Sequence, residues 1–176
     1  MILWICTTMP PSKVNVISNV VIGIDPGTAI TGYGILEIEN RTTKVLEYGV
    51  IRTPSKTVLA QRLVLLYAQL TKLLGQYHPA YAGCERLFFS KNVKTALDVG
   101  QARGVTLLAL AQFNTKLLEL TPPQVKQSIT GYGAATKLQV QQMTQRILKL
   151  TNLPKPDDAA DALAIALATQ QFARLA

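Results

Sequence analysis

The hydrophobic pattern divides the chain into short β-branched runs and longer stretches with helical spacing. Residues 20–25, VVIGID, are apolar and lead into Asp25-Pro26-Gly27, which predicts a buried strand that stops at a turn. Residues 31–39 and 44–52 alternate between apolar and polar positions and flank a polar turn, so they predict two antiparallel strands. Two further strands are predicted over residues 80–88 and 115–122.

Leucines at helical spacing follow the third predicted strand. The stripe is formed by Leu59, Leu63, Leu66, Leu70 and Leu73. Intervals of three and four residues predict an amphipathic helix. Thr53-Pro54-Ser55 supplies a helix start, while Gly75 and Pro79 predict its end. The single histidine, His78, is then expected on the surface or in contact with the helix dipole.

A second helix is predicted from a cap at Ser90 or Asn92 to about residue 113. Gly100 and Gly104 lie inside it and are expected at points of close packing. Three more helices are predicted, near residues 123–129, 135–149 and 157–174, with a glycine-containing loop at residues 131–133.

The element order indicates an α/β fold. An opening meander of three strands, followed by alternating helices and strands, implies a mixed five-stranded sheet with helices on both faces. This order matches the ribonuclease H-like architecture, although order alone leaves several α/β folds open. Residues 20–176 are expected to form one domain. For residues 1–19 we expect a short extension. The sequence leaves open whether it is poorly ordered, arises from an upstream start codon or has a targeting role.

The chain is basic, with a formal net charge of +8 at pH 7. This excess favours a polyanionic partner, because each Lys or Arg near a phosphate releases condensed counterions. Hydrophobic residues make up 48% of the chain and charged residues 16%, which indicates a globular protein rather than a disordered one. No apolar run approaches the roughly 18 residues that span a bilayer, so no membrane segment is predicted and a cytoplasmic location is expected.

Few residue types are available for catalysis. Cys6 and Cys84 have no metal-ligand spacing, are too few for a disulfide framework, and suit a reducing compartment. A single histidine disfavours a zinc cluster and also a Ser–His or Cys–His catalytic pair. Chemistry is therefore expected to rest on carboxylates, lysines or a hydrated metal ion.

Four carboxylates have positions that suggest a shared site. Asp25 ends the first predicted strand, and Glu85 lies in the fourth, where a buried charge needs a partner or a metal. Asp158 and Asp161 are three residues apart on one face of the last helix, whose alanines allow close approach to the sheet. Converging carboxylates suit Mg²⁺ or Mn²⁺, and two such ions about 4 Å apart support hydrolysis of a phosphodiester. With the basic surface, this predicts a nuclease site.

Each carboxylate also has an ordinary interpretation. Aspartates at a helix start serve as caps or complement the dipole, which is the interpretation preferred for Asp157 and an alternative for Asp158 and Asp161. Asp25 in Asp-Pro-Gly also fits a turn residue. Glu85 has the weakest such alternative, because a lone glutamate in a buried strand is costly.

Several stretches, in a fixed order from about residue 20 to residue 167, resemble the RuvC family. They are Gly23-Ile24-Asp25-Pro26-Gly27-Thr28 with Thr31-Gly32-Tyr33-Gly34, Gly100-Gln101-Ala102-Arg103-Gly104, Gln124-Val125-Lys126-Gln127 before Gly131, Lys137 with Gln139-Val140, and Asp158-Ala159-Ala160-Asp161-Ala162-Leu163-Ala164-Ile165-Ala166. Each piece alone is a weak signal. Their common order makes the resemblance specific.

The resemblance implies a ribonuclease H-like homodimer that nicks two opposing strands of a four-way (Holliday) junction symmetrically. It implies a divalent metal requirement, two ions in each site, and ligatable product ends. The four metal-binding catalytic carboxylates would be Asp25, Glu85, Asp158 and Asp161. Cooperation with the RuvA and RuvB branch-migration proteins is implied in the same way.

Two lysines and an aromatic residue also match the family. Lys126 and Lys137 correspond to basic residues near the scissile phosphate, with ordinary surface lysines as the alternative. Phe88 corresponds to an aromatic that contacts bases at the opened junction centre, since every base offers a stacking face. For Phe88 and its neighbour Phe89, packing in the core or at a dimer interface is the alternative.

Some features depart from the family or fit rivals. Cys84 replaces a branched apolar residue, and Arg86-Leu87 is atypical, which puts sequence preference and junction handling in doubt more than cleavage. Asp25-Pro26-Gly27-Thr28 also resembles the phosphate loop of actin-like ATPases and sugar kinases, although those need two such domains. A non-cutting junction-binding protein and an RNA-processing nuclease similar to the YqgF family are the remaining alternatives.

Overall fold

One mixed sheet lies at the centre of the computed structural model, which describes residues 19–40, 42–86 and 93–173. Its strands are β1 (Val20–Asp25), β2 (Ile30–Glu39), β3 (Thr42–Arg52), β4 (Tyr81–Glu85) and β5 (Lys116–Leu120). They are ordered β3-β2-β1-β4-β5. β1 pairs antiparallel with β2 and parallel with β4, so the predicted five-stranded mixed sheet is confirmed.

Five helices cover the two faces of this sheet. They are α1 (Leu59–Tyr77), α2 (Val93–Gln112), α3 (Pro122–Thr130), α4 (Lys137–Ile147) and α5 (Asp157–Ala173). α1 and α2 share one buried apolar cluster with the sheet, and α3, α4 and α5 share another. The two clusters draw on alternate residues of the strands, as the pleat requires: Ile35 of β2 belongs to the first and Leu36 to the second.

Three glycines form a row across neighbouring strands beneath α5. Gly23 of β1 lies level with Gly34 of β2 and with Gly83 of β4. A Cβ atom at Gly23 would overlap backbone atoms of Ala162 and Ala166 in α5. The row therefore lets the backbone of α5 rest directly on the sheet.

The alanines of α5 supply the other half of this contact. They were expected from the sequence to keep the helix thin, and all of them are buried: Ala159, Ala160, Ala162, Ala164 and Ala166. Small residues on both surfaces bring a helix and a sheet closer than larger side chains allow. The prediction of close approach by α5 is confirmed.

The start and end of α1 differ from the prediction. The helix begins at Leu59, because the hydroxyl of Thr53 donates to the carbonyl of Thr28 and holds residue 53 at the end of β3. Gly75 lies inside the helix, which continues for two more residues. The backbone turns at His78, whose φ of 44° is left-handed and whose N–H donates to Leu74 at 2.9 Å. His78 is exposed, as expected.

Two other expectations, about the end of β4 and about the glycines of α2, were wrong. β4 ends at Glu85, and Arg86 lies beyond it. Gly100 and Gly104 do not pack closely against any part of the chain that the structure describes, since a Cβ at either position would have no neighbour within 4 Å. Residues 87–92, which include the predicted caps Ser90 and Asn92, lie outside the described residues.

The meander also contains a polar network that the sequence did not reveal. Glu47 of β3 accepts hydrogen bonds from the hydroxyls of Tyr33 and Tyr77, both at 2.6 Å. These bonds lower the pKa of the Glu47 carboxyl. The network ties α1 to β2 and β3. None of the described helices is long and apolar enough to cross a membrane.

Gly23→Ala is expected to lower the free energy of unfolding by about 3 kcal/mol, because its Cβ would collide with helix backbone that no rotamer change can move. Gly75→Ala is the matched control. Its Cβ would lie 3.5 Å from Phe113, an ordinary contact, and inside a helix it should add about 0.5–1 kcal/mol. Urea unfolding of both variants checks the prediction, and similar free energies would contradict the packing argument.

Candidate active site

Two of the predicted site residues lie at the carboxyl ends of neighbouring parallel strands. Asp25 is the last residue of β1 and Glu85 the last of β4. Ile24 is level with Cys84, so the two carboxylates occupy neighbouring positions at one edge of the sheet. Because side chains alternate along a strand, Asp25 points to the same face as Gly23, the face covered by α5.

The other two carboxylates are carried to this edge by the start of α5. Gly32 of β2 pairs with Asp25, and a Cβ on Gly32 would overlap the carbonyl oxygen of Asp158. The backbone of α5 therefore contacts the sheet beside Asp25. Asp161 follows three residues later on the same helix face. The arrangement brings the two strand carboxylates and the two helix carboxylates to one place.

The pKa of Asp25 depends on the other three carboxylates. The pKa of Asp25 is raised from 3.8 to about 7, and burial of the side chain is the largest cause. Further increases come from three negative charges, those of Asp161, Glu85 and Asp158, in that order. Such mutual repulsion is the signature of acids that share a site, and it leaves a strong local demand for positive charge.

Glu85 and Asp161 show the same effect. Burial is the main cause of the raised pKa of each carboxyl. The charge of Asp161 raises the pKa of Glu85 further, while the nearby Lys126 lowers it. Lys137 opposes the rise at Asp161 through a hydrogen bond and its charge. The two lysines that were matched by sequence therefore lie within electrostatic range of the carboxylates.

Lys137 is held at the site by the start of α4. Its Nζ atom lies 2.9 Å from Oδ2 of Asp161 and 3.4 Å from Oδ2 of Asp157. The hydrogen bond to Asp161 is the largest cause of the raised pKa of Lys137, so the ammonium form is favoured. α4 begins at Lys137 because Thr136 and Gln139 form a capping box. The capping box therefore fixes the position of the lysine as the first residue of the helix.

Lys126 reaches the site from α3, whose start is also fixed by a capping box, between Thr121 and Gln124. The lysine follows one turn later and is half-buried. Two short helices with the same kind of cap thus deliver one cation each to the carboxylate cluster.

The described side chains do not form a preassembled metal cage. Within residues 19–40, 42–86 and 93–173, no group of three or more histidine, cysteine, aspartate or glutamate side chains is arranged so that it could hold an ion. Lys137 instead binds an oxygen of Asp161. The donor set itself suits a divalent cation, because hard oxygen ligands that repel one another are what Mg²⁺ and Mn²⁺ require. Coordination would need carboxylate rotation and release of Asp161 by Lys137.

For several residues of the site, the structure shows a role that the sequence analysis did not assign or could not test. Asp157 was interpreted as a cap or as a complement to the helix dipole; it is the first residue of α5, which fits the dipole interpretation, and it also pairs with Lys137. Thr31 was named only as part of a motif, yet its buried hydroxyl donates to the carbonyl of Gly27 at 2.6 Å and closes the turn after Asp25. Phe88 and Phe89 lie outside the described residues, so their role stays a prediction.

A partly exposed ion pair links α2 to β5, the strand beside β4. Arg103 of α2 forms a salt bridge with Glu119 of β5. Arg103 also interacts with Cys84, whose thiol has a pKa raised to about 11, chiefly by burial. Cys84 is therefore a small buried residue in its neutral form, and replacing a branched apolar side chain there leaves the strand buried.

Comparisons with known proteins agree on one family. The family profile described as "Crossover junction endodeoxyribonuclease RuvC" matches residues 21–169. The protein of that name from Alkaliphilus oremlandii is 51% identical over 148 residues, which are 84% of this chain and 90% of that protein. The structure "T. thermophilus RuvC in complex with Holliday junction substrate" is 33% identical, with a TM-score of 0.84 and coverage of 89% of this chain and 95% of that chain.

A more distant structure shares the fold. The yeast mitochondrial Holliday junction resolvase Ydc2 is 16% identical, with a TM-score of 0.62, and the match covers 86% of this chain and 79% of that chain. At this identity the likeness concerns architecture alone. Together with the sheet order, it supports the ribonuclease H-like fold predicted from the sequence.

Asp25→Asn should stabilise the metal-free protein above pH 7. The native Asp25 carboxyl keeps its proton up to about pH 7, whereas the unfolded chain releases it near pH 3.8, so native stability falls as the pH rises between these values. Above pH 7 the wild-type protein carries a repelled charge that the variant lacks. We expect Tm to rise by roughly a few degrees at pH 8 in EDTA, and much less at pH 4.

Glu39→Gln, at an exposed position of β2, is the matched control and should leave Tm nearly unchanged at both pH values. Added Mg²⁺ should reduce or reverse the advantage of Asp25→Asn, because the wild-type protein gains a bound ion. A lower Tm for Asp25→Asn at pH 8 in EDTA would contradict a repulsive carboxylate cluster.

Proposed function

The chain belongs to the RuvC family of crossover junction endodeoxyribonucleases, and on that basis we propose that it resolves four-way DNA junctions by Mg²⁺-dependent hydrolysis of opposing strands. The proposal is supported by the positions of its carboxylates: Asp25 and Glu85 end neighbouring parallel strands, and the start of α5, which carries Asp158 and Asp161, packs against the sheet beside Asp25. The net charge of +8 supplies the attraction for a polyanion. We expect it to act in the cytoplasm, with RuvA and RuvB as the branch-migration partners that the family implies.

The four carboxylates are the residues that would hold the metal. When bound, two Mg²⁺ or Mn²⁺ ions would polarise the scissile phosphate and lower the pKa of a water molecule. Hydrolysis adds the water oxygen to phosphorus and breaks the bond to the 3′ oxygen, which takes up a proton. The products are a 5′-phosphate and a 3′-hydroxyl, ends that a ligase can join.

Two lysines place positive charge beside the carboxylates. The charge of Lys126 acts on Glu85, and Lys137 contacts Asp161. We propose that Lys137 exchanges Asp161 for a phosphate oxygen when substrate and metal are present. An ammonium group at that position would stabilise charge that builds up on the phosphate during the reaction.

The direct test is a strand-nicking assay on a synthetic mobile four-way junction with Mg²⁺, beside linear duplex and RNA controls. Wild-type protein should make paired, symmetric nicks in the junction alone. Glu85→Gln and Asp161→Asn should cut more than about 100-fold more slowly while still binding the junction, because each removes a ligand and leaves the basic surface intact. Glu39→Gln serves as the charge-matched control and should cut normally.

Other outcomes point to the rival functions. Tight junction binding without nicks in Mg²⁺ or Mn²⁺ would indicate a non-cutting binding protein, and cleavage of RNA alone would indicate an RNA-processing nuclease. Loss of folding in Asp161→Asn would contradict its assignment as a metal ligand.

We further propose that the enzyme is a homodimer joined through an exposed face of α2. Leu97 and Leu108 are 62% and 54% exposed, and Gly100 and Gly104 lie between them at helical spacing with open space above. Such a stripe allows a second helix to pack closely. A second copy is the expected occupant, because a two-fold substrate calls for two active sites related by a two-fold axis.

Leu97→Glu should therefore shift the protein from about twice its chain mass of 19.2 kDa towards the monomer. Val58→Glu is the matched control, since Val58 is 65% exposed and lies at the start of α1. Light scattering at micromolar concentration measures the mass. We expect the Leu97 variant to lose paired nicking as well. If the wild-type protein bound to the junction has the mass of a monomer, the dimer is contradicted.

A further inference from the structure

Arg103 is a charged residue of α2 that is mostly buried and has no part in the site described above. Its side chain is 17% exposed and forms a salt bridge with Glu119 of β5, whose side chain is 38% exposed. Taking a guanidinium out of water costs free energy, and a buried ion pair is seldom more stabilising than apolar side chains of similar size. A role other than general stability is therefore expected for Arg103.

Arg103 acts on two neighbouring strands at the step before Glu85. Parallel pairing places Cys84 of β4 level with Glu119 of β5. The guanidinium of Arg103 pairs with Glu119 and is also close enough to the Cys84 thiol to act on it through its charge and a hydrogen bond. A branched apolar residue in place of Cys84 could not accept that bond. One side chain of α2 thus joins both members of a cross-strand pair.

The contact of Arg103 lies on the opposite face of the sheet from the carboxylates. Gly83 faces α5, because a Cβ there would overlap the side chain of Thr169. Side chains alternate along a strand, so Glu85 shares the face of Gly83, and Cys84 points to the face covered by α1 and α2. Any effect of Arg103 on Glu85 therefore passes through the backbone of β4.

The backbone at Glu85 depends on β5 for its position. The pairing of β4 with β1 ends where Ile24 lies level with Cys84, whereas the pairing with β5 continues to Glu85 and Leu120. The next residue, Arg86, donates its N–H to the carbonyl of Leu120 at 2.8 Å. β5 is itself an edge strand of the sheet. A contact that fixes β5 to β4 therefore also fixes Glu85.

We propose that Arg103 is a positioning residue for Glu85: from α2 it joins β5 to β4 and so fixes the place where the Glu85 carboxylate leaves the sheet. The inference rests on the proposed function, in which Glu85 is a metal ligand. It adds a residue that touches neither the metal nor the DNA. Residues that support a metal ligand commonly affect metal affinity, so weaker metal binding is the expected consequence of losing the contact.

The first experiment measures the binding of Mn²⁺ to the DNA-free protein by electron paramagnetic resonance. Arg103→Gln should weaken binding about 10-fold, the low end of the effect of residues that support a ligand. Glu119→Gln should weaken it similarly. The variant with both changes should bind no more weakly than either single variant, because the two changes remove one shared interaction. Losses that multiply in the double variant would overturn the proposal.

Lys72→Gln is the matched control, since it removes one positive charge from α1 on the same face of the sheet. We expect it to bind Mn²⁺ as the wild type does. Equal losses in Lys72→Gln and Arg103→Gln would reduce the effect to net charge and overturn the proposal.

Arg103→Lys tests the geometry of the contact. It keeps the charge but lacks the planar fork of the guanidinium, so it should weaken Mn²⁺ binding by about 3-fold. If Arg103→Gln does not fold, this variant replaces it in the comparison. Wild-type affinity in Arg103→Lys would then overturn the proposal.

The second experiment measures nicking of a four-way junction over a series of Mg²⁺ concentrations. Arg103→Gln should need about 10-fold more Mg²⁺ for its half-maximal rate, while KM for the junction stays unchanged. High Mg²⁺ should restore most of the rate, which a general defect in folding would not allow. Light scattering should give the wild-type mass, because the change leaves the exposed face of α2 intact. A raised KM with an unchanged Mg²⁺ requirement would overturn the proposal.

The two experiments separate the role of Arg103 from the proposed function. If the wild-type protein nicks junctions and the Arg103 variants bind Mn²⁺ as it does, only the role of Arg103 fails. If the wild-type protein does not nick junctions although Arg103→Gln weakens Mn²⁺ binding, the proposed function fails and the positioning of Glu85 stands. Absence of Mn²⁺ binding by the wild-type protein would overturn both.

Discussion

The contact between α5 and the glycine row of the sheet is the constraint on which the site depends. The distance between a helix and the element it packs against is set by the side chains at the contact. Here Gly23 and Gly32 remove those side chains from the strands, and alanines remove them from the helix. The backbone of Asp158 then lies against β2 beside Asp25. Without this contact the helix carboxylates would lie farther from those of the strands.

The close approach has an electrostatic cost that the protein offsets only in part. Four carboxylates converge where burial already disfavours charge, and the raised pKa of Asp25 records the result. Lys137 and Lys126 supply two positive charges, and Lys137 is committed to carboxylate oxygens. A site of this kind lowers the stability of the metal-free fold, and a bound divalent cation would restore it. The lower stability of the metal-free fold and the affinity expected for a cation therefore follow from the same geometry.

The sequence predicted much of this arrangement, because its signals were local. Alternation defined the strands, and the spacing of Asp158 and Asp161 placed both on one helix face. The errors arose where tertiary contacts decide. Thr53 is held by a residue 25 positions away, which delays α1, and the Cβ space at Gly100 is open although the sequence suggested close packing. The alignment of glycines from three strands depends on register, which a single sequence does not display.

The distribution of charge separates holding the substrate from cutting it. Residues 121–156 carry only positive charges and attract phosphates, whereas the carboxylate cluster beside them repels the phosphate that must be cleaved. In the absence of a cation, a bound strand would be attracted along α4 and repelled at its start, where Lys137 already binds Asp161. A divalent ion reverses the sign of the local field at the cluster alone. On the proposed function, binding would depend mainly on the basic segment and cleavage on the ion, so each could be altered without the other.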